Sequence, residues 1–269
     1  MWATYWDAFA EAGGRRAVVT LLIMALLAGW MFASRVTFGV VNGVGVIYQG
    51  PLSMVPWVLS VPVILGQMAA PVGVAWMLLM IFSGCPQFVS MLERGWRELT
   101  FSKGARRWQI LLGRYLSTTS LFFVITLIST LPLAIRLWWH TGIPTWQVGV
   151  GVLIQTVGFA SLLAIGALVS LAGEGVAGPI IAPVGVLVVT QLILSRGLLY
   201  AEGYITSRWA RTAIDWLYYV LPKCWELNNT AAAFIQSQTI PSSWPLWTTS
   251  LFAVATVTLT LWLLERRSF

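Results

Sequence analysis

Residues 148–172, VGVGVLIQTVGFASLLAIGALVSLA, decide the fold class. This stretch carries no charged side chain, and it lies inside the longer charge-free run Leu137–Gly173. A helix of about 20 mainly apolar residues crosses the hydrocarbon core of a bilayer. The stretch is therefore predicted to be a membrane-spanning helix.

The whole chain has the composition of an integral membrane protein. Of its 269 residues, 58% are hydrophobic and only 9% are charged, and the mean hydropathy is +0.80. A soluble domain carries about 25% charged residues. The composition excludes a soluble nucleic-acid-binding protein, a secreted disulfide scaffold, a coiled coil and a disordered chain.

Charges mark where the other spans end, because a charged side chain at the bilayer centre costs about 2.5–3.5 kcal/mol. The charge-free runs predict one all-α transmembrane domain over residues 1–269 with six spans. The spans are expected near 17–34, 61–84, 112–135, 148–172, 177–198 and 246–264. The glycines and prolines of 35–60 disfavour a lipid-facing helix, so this segment is predicted to be an ordered outer loop. Residues 199–245 form the second long outer loop.

The distribution of basic residues sets the orientation. With the N-terminus in the cytoplasm, the inner segments hold ten Lys and Arg residues and the outer segments six. Basic residues are enriched in cytoplasmic loops, so both termini are expected in the cytoplasm. Residues 1–16 carry Trp2, Trp6, Phe9 and Gly13 at helical spacing. They predict an interfacial helix before a retained first span, not a signal peptide.

The most polar stretch is the cytoplasmic loop 85–111. Apolar residues recur within it at helical spacing, at Val89, Leu92, Trp96 and Leu99. Glu93 and Arg97 are four residues apart, an order that supports a solvent-facing helical surface. The loop is predicted to contain a short amphipathic helix joined to two spans, which could transmit force from a soluble partner. The alternative is an ordinary positive-inside loop that sets topology.

A motif in this loop resembles that of the permease subunits of type-2 ABC exporters. The motif comprises Glu93, Gly95, Glu98-Leu99, Ser102 and the run Ala105–Leu116, ARRWQILLGRYL. The chain departs from the family pattern at Lys103-Gly104-Ala105, where a proline is usual, and in its longer outer segment 35–60. The basic and aromatic C-terminus, Glu265–Phe269, fits the family.

The resemblance implies that residues 88–103 are a coupling helix seated in a groove of a separate ATPase subunit. Glu93 and Glu98 would then pair with basic residues of that subunit, and the arginines with acidic ones. The implied coupling residues are Glu93, Arg94, Gly95, Arg97, Glu98, Leu99, Arg106 and Arg107. Glu174, in the turn between spans four and five, is a candidate second contact.

The chain contains no G-x-x-x-x-G-K-[ST] phosphate loop, so we expect it not to hydrolyse ATP itself. It is expected to bind no cofactor, with ATP and Mg held by the partner subunit. The other expected partners are a second copy or a similar permease, membrane lipids and, given the long outer segment, an extracytoplasmic accessory protein. No nucleic acid is expected.

The outer loop 199–245 contains a second amphipathic pattern. Trp209, Trp216 and Leu217 lie on one helical face, and Pro222 ends the run. An interfacial or re-entrant helix fits this pattern. These four residues are either an outer gate of the transport path, by the resemblance, or a passive interfacial anchor.

The sequence therefore predicts a permease subunit that moves an amphipathic or lipid-like substrate, by export, in the bacterial inner membrane. The alternative function is a non-transporting scaffold that docks a cytoplasmic partner through its basic loop. A membrane enzyme is disfavoured, since the sequence has a single histidine, His140, and lacks G-x-S-x-G and H-E-x-x-H motifs. Cys85 and Cys224 are expected on opposite faces, which argues against a disulfide or a metal site.

Overall fold

The computed structural model describes residues 5–10, 16–35, 37–41, 44–48, 59–90, 106–142, 145–173, 175–205, 207–237 and 239–266. Residues 5–10 are helical. The helices that follow are α1 (Arg16–Arg35), α2 (Val61–Gly84), α3 (Pro86–Ser90), α4 (Arg107–Thr141), α5 (Gln147–Ala172), α6 (Ala177–Leu194), α7 (Arg196–Ala201), α8 (Arg208–Val220), α9 (Cys224–Ser237) and α10 (Trp244–Arg266). Three strands, β1 (Thr37–Val41), β2 (Val44–Tyr48) and β3 (Leu59–Ser60), lie between α1 and α2.

Within the described residues, five helical segments are long and apolar enough to cross a membrane. They are Ala69–Ser90, Arg107–His140, Gln147–Ala172, Ala177–Leu194 and Trp244–Arg266. The predicted class, a helical protein with membrane-spanning segments, is confirmed at this level. The first predicted span, 17–34, lies in α1, whose apolar part Val18–Met31 is shorter. Its crossing of the membrane stays a prediction.

A small antiparallel sheet occupies part of the segment 35–60. Strand β1 pairs with β2, with Thr37 opposite Tyr48 and Val41 opposite Val44. Strand β2 pairs with β3, with Val46 opposite Ser60, and β3 leads directly into α2. The sequence analysis predicted order here and excluded a lipid-facing helix, but it did not predict strands.

The helices α1 and α4 pack side by side and run in the same direction. Gly29 of α1 approaches α4 so closely that a Cβ on it would lie 2.6 Å from the Ser129 carbonyl oxygen. One turn further along α1, and about two turns further along α4, the Arg136 guanidinium donates to the Ala33 carbonyl oxygen. Small residues allow such close approach where lipid provides no hydrophobic driving force between helices.

Helix α5 lies at the centre of the bundle, against α4, α6, α9 and α10. Most of its side chains are buried, and Phe159 stacks on Phe122 of α4 with ring centroids 4.4 Å apart. The core continues along α2 through Met77, Met80 and Ile81. Consequently the stretch that decided the fold class also forms the structural centre.

Candidate functional site

The structure describes the two ends of the predicted coupling loop but not its middle. Helix α3 follows α2 after a turn at Cys85, and α4 begins at Arg107. The following predicted coupling residues lie outside the described residues: Glu93, Arg94, Gly95, Arg97, Glu98 and Leu99. Arg106 and Arg107 are described. Glu174, the candidate second contact, also lies outside the described residues.

The entry to the loop is buried in the bundle. Gln87, Phe88 and Val89 of α3 are all buried, and Phe88 is fully inaccessible to solvent. Phe88 joins the core cluster that includes Ile81 and Cys85. Pro86 starts a new helical segment here, as proline does at the first position of a helix. The predicted amphipathic helix from residue 88 therefore differs from the structure at its first residues, which continue the core instead of facing solvent.

Arg114 ties the entry of the loop to its exit. Its guanidinium donates to the Gln87 carbonyl oxygen and lies 3.2 Å from Ser90 Oγ. Only 2% of Arg114 is exposed. A buried guanidinium is costly unless it is hydrogen-bonded, so this contact fixes α3 against α4.

The exit of the loop is fixed to the C-terminal helix. Arg107 donates to the Leu264 carbonyl oxygen of α10 over 3.5 Å, and the next turn buries Ile110 and Leu111. The Arg106 backbone N–H donates to Gln109 Oε1 over 3.2 Å, which satisfies one backbone donor at the start of α4. Arg106 itself is exposed.

Helix α4 is too long to be contained in a bilayer. Its 35 residues extend about 52 Å at 1.5 Å per residue. A hydrocarbon core of about 30 Å, crossed at a tilt of 40°, accommodates only about 39 Å of helix. At least one end of α4 therefore reaches beyond the hydrocarbon region, and both ends carry basic side chains, Arg107 at one and Arg136 with His140 at the other.

At the other end of the bundle, charged and aromatic side chains connect α7 with α8. The Arg196 Nε atom lies 3.4 Å from Asp215 Oδ1, and its guanidinium carbon lies 3.6 Å from the ring centroid of Tyr218. The Tyr200 hydroxyl lies 3.3 Å from the same Asp215 oxygen. These contacts turn the mixed polar face of α8 toward the bundle.

Lys223 lies between α8 and α9. Its backbone N–H donates to Thr249 Oγ1 over 3.0 Å, and Nζ donates to the Tyr218 carbonyl oxygen over 3.2 Å. The ammonium also lies 4.4 Å from the Tyr218 ring centroid. Burial lowers the pKa of Lys223 and Arg196 lowers it further, while the negative charge of Glu226 acts in the opposite direction. Burial and a hydrogen bond with Glu226 raise the pKa of Tyr218.

The four predicted gate residues are not brought together. Trp209, Trp216 and Leu217 are exposed on the side of α8 that faces away from the bundle, with Trp209 88% exposed. Pro222 is buried and lines a small pocket with Lys223 and Glu226. The outward apolar face of α8 fits a helix lying in the membrane–water interface.

Helix α9 was missed by the sequence analysis, which predicted an outer loop over residues 199–245 with one interfacial or re-entrant helix ending at Pro222. The 14-residue helix is inserted between α2 and α5, against two glycines on each. Gly66 and Gly73 line the α2 side, and Gly151 and Gly158 line the α5 side. Both pairs have a spacing of seven residues, about two helical turns. This regular spacing was the signal in the sequence that could have revealed the packing groove.

Two carboxamides form the polar centre of this insertion. Asn228 is fully buried, and its Nδ2 donates to the Cys224 carbonyl oxygen over 3.1 Å. Gln155 of α5 donates to the Ala69 carbonyl oxygen of α2 over 2.8 Å. Gly73 leaves the space for both, since a Cβ there would lie 2.4 Å from Gln155 Nε2 and 2.8 Å from Asn228 Oδ1. The hairpin of α8 and α9 thus combines a superficial helix with a deeply inserted one.

Among the described residues, no group of three or more His, Cys, Asp or Glu side chains could hold a metal ion. Cys85 and Cys224 are both buried free thiols.

The sequence matches no protein-family model, and no curated protein matches it. The described residues instead connect the two ends of the loop 85–111 to the helices, through the contacts of Arg114 with Gln87 and of Arg107 with Leu264.

Proposed function

We propose that the chain is the membrane-spanning permease subunit of an ATP-driven transporter of the type-2 ABC exporter class. It crosses the membrane six times, with α1 as the first span and both termini in the cytoplasm. A separate ATPase subunit docks on residues 88–107. The resemblance of the loop motif supplies this proposal, and the geometry of the loop ends supports it.

The observation that carries the proposal is the double anchoring of the loop. Arg114 joins the entry to the exit, and Arg107 joins the exit to α10. Because Phe88 and Leu111 are buried, the two described ends of the loop cannot move without moving α2 and α4. In this proposal, force applied to the coupling segment between those ends reaches two membrane-spanning helices. An unanchored loop that only set topology would not need these contacts.

In this proposal two permease chains enclose the transport path and two ATPase subunits lie below them. Closure of the ATPases on ATP moves the coupling segments, which shifts the bundle between inward-open and outward-open forms. The substrate is amphipathic or lipid-like, and the direction is export. The exposed apolar face of α8 lies in the outer interface, close to where such a substrate leaves.

Copurification tests the proposal. The chain is purified from its native membrane, and the copurifying proteins are identified by mass spectrometry and assayed for ATP hydrolysis. We expect a phosphate-loop ATPase in a stoichiometric complex. Glu93→Lys and Glu98→Lys should each weaken its retention, because both reverse the sign of a contact to a basic groove.

Glu202→Lys provides the matched control, since Glu202 is an exposed acid at the opposite end of the bundle. It should retain the ATPase as the wild type does. Full retention and turnover in both loop variants would remove the coupling role. A stoichiometric partner without ATPase activity would instead favour the scaffold function.

A further inference from the structure

We propose that the groove between α1 and α4 binds one anionic phospholipid. The groove has a volume of about 530 Å³, within the range of about 300–1,000 Å³ that is typical of small-molecule sites. Its apolar walls are formed on both helices by Trp30, Leu131, Pro132, Ile135 and Trp139. Ser34, Arg136 and His140 provide its polar lining.

The polar and apolar parts of the groove are separated along the membrane normal. Helix α1 has 20 residues between Arg16 and Arg35, about 30 Å, which equals one hydrocarbon thickness. Arg136 contacts the backbone of Ala33, so its guanidinium lies near the Arg35 end of α1. With α1 taken as the first span, as in the proposed function, Arg136 is at a membrane–water interface, and Trp30 and Leu131 lie deeper in the hydrocarbon.

The length of the groove matches one leaflet. Leu131 and His140 are separated by nine residues of α4, a rise of about 13 Å. Half of a hydrocarbon core is about 15 Å. An acyl chain lying along Leu131 and Ile135 would place its headgroup beside Arg136 and His140.

The charge at the interface end selects an anionic headgroup. A guanidinium forms charge-assisted hydrogen bonds to phosphate, and its planar fork can engage two oxygens at once. Basic pockets between membrane helices recognise lipid headgroups in this way. Exposed Trp139 flanks the groove beside Arg136, and indole rings favour the headgroup level. A zwitterionic lipid would fill the same groove, but its positive group would weaken the interaction with Arg136.

Native mass spectrometry of the purified full-length chain in neutral detergent tests this site, with phosphatidylglycerol and phosphatidylcholine added at equal concentrations. We expect one phosphatidylglycerol per chain to be retained with about tenfold preference, because both lipids offer a phosphate to Arg136 but the choline cation of phosphatidylcholine is repelled by it. Arg136→Gln should abolish the preference while some binding of both lipids persists. Ile135→Trp should reduce the binding of both lipids, because it fills the apolar wall and leaves the guanidinium in place.

Arg208→Gln is the control, since it removes an exposed positive charge outside the groove; it should retain both binding and preference. Equal retention of the two lipids by the wild type would overturn the proposal. Unchanged preference in Arg136→Gln or unchanged binding in Ile135→Trp would also do so. A lipid-free dimer of the wild type that Ile135→Trp dissociates would show that a second copy of the chain covers the groove instead.

Discussion

Replacing Gly66 by alanine tests whether α9 is inserted in the bundle. A Cβ at Gly66 would lie 2.5 Å from the Ala232 carbonyl oxygen and 2.5 Å from Cγ of Gln236. The first of these atoms belongs to the backbone of α9, so a rotamer change cannot relieve the contact. Helix α9 would have to move by roughly 1 Å, and such overpacking costs about 1–3 kcal/mol.

The expected result is a fall in Tm of several degrees in detergent. A loss of about 2 kcal/mol corresponds to about 4–8 °C for a chain of this size, with the scaling of soluble proteins applied. Gly149→Ala is the matched control, because a Cβ at Gly149 would meet no atom within 4 Å. Alanine favours a helix over glycine, so this variant should be as stable as the wild type or slightly more stable.

The comparison separates packing from helix propensity, since both variants add one methyl group to a helix. If Gly66→Ala has the same Tm as Gly149→Ala, α9 does not lie against α2. In that case the description of the α8–α9 hairpin as partly inserted is wrong. A drop in Tm for both variants would indicate that α5 also has a close neighbour at Gly149.

Asn228→Asp should destabilise the protein by about 3–5 kcal/mol, because it buries an unpaired charge. Asn228→Leu should change stability by about 1 kcal/mol or less, because it removes both the buried Oδ1 and the hydrogen bond to Cys224. Thermal melts compare the two variants, and similar losses of stability would contradict the burial of Asn228. Since burial lowers the pKa of Lys223 in the folded state, the unfolded state binds more protons below the ordinary lysine pKa of 10.5, and stability should rise as the pH approaches that value from below. Lys223→Met should flatten the rise of Tm with pH. If the variant has the same pH profile as the wild type, the rise belongs to another titrating group. Cys85 and Cys224 should resist maleimide until the protein is denatured, while Trp209→Cys should react at once; labelling of the wild type under native conditions would refute the buried positions.

The long helices could be predicted because their signal is local. The span predicted at 61–84 coincides with α2, and that at 148–172 lies within α5. In both cases the absence of charge over some 20 residues decides the structure, and no contact with a distant residue is needed. A different local signal, the glycines and prolines of 35–60, excluded a lipid-facing helix there. The sequence analysis did not use the dipeptide Asn42-Gly43 between β-branched residues, which is a hairpin signal.

The remaining features depend on contacts between residues far apart in the sequence. Asn228 is polar and has a modest helix propensity, so its own neighbourhood favoured a turn. Its burial depends on glycines 70 and more residues away, among them Gly73 and Gly158. Arg114 appeared to be one of several positive-inside residues, and only its contact with Gln87 reveals a structural role. The structural role of Arg196 likewise follows from its contacts with Asp215 and Tyr218, which are distant in the sequence.

The two helices of the α8–α9 hairpin are held by different contacts, and this determines which of them opens first. Helix α8 buries no residue and is held by the Arg196–Asp215 pair and the Tyr200 hydroxyl. Partly exposed pairs of this kind contribute about 0–1 kcal/mol each. Helix α9 instead buries Leu227, Asn228 and Ala231 completely. Local opening costs least where few contacts are buried, so amide hydrogen exchange should be much faster through α8 than through α9. Equal protection of the two helices would mean that the hairpin opens as one unit.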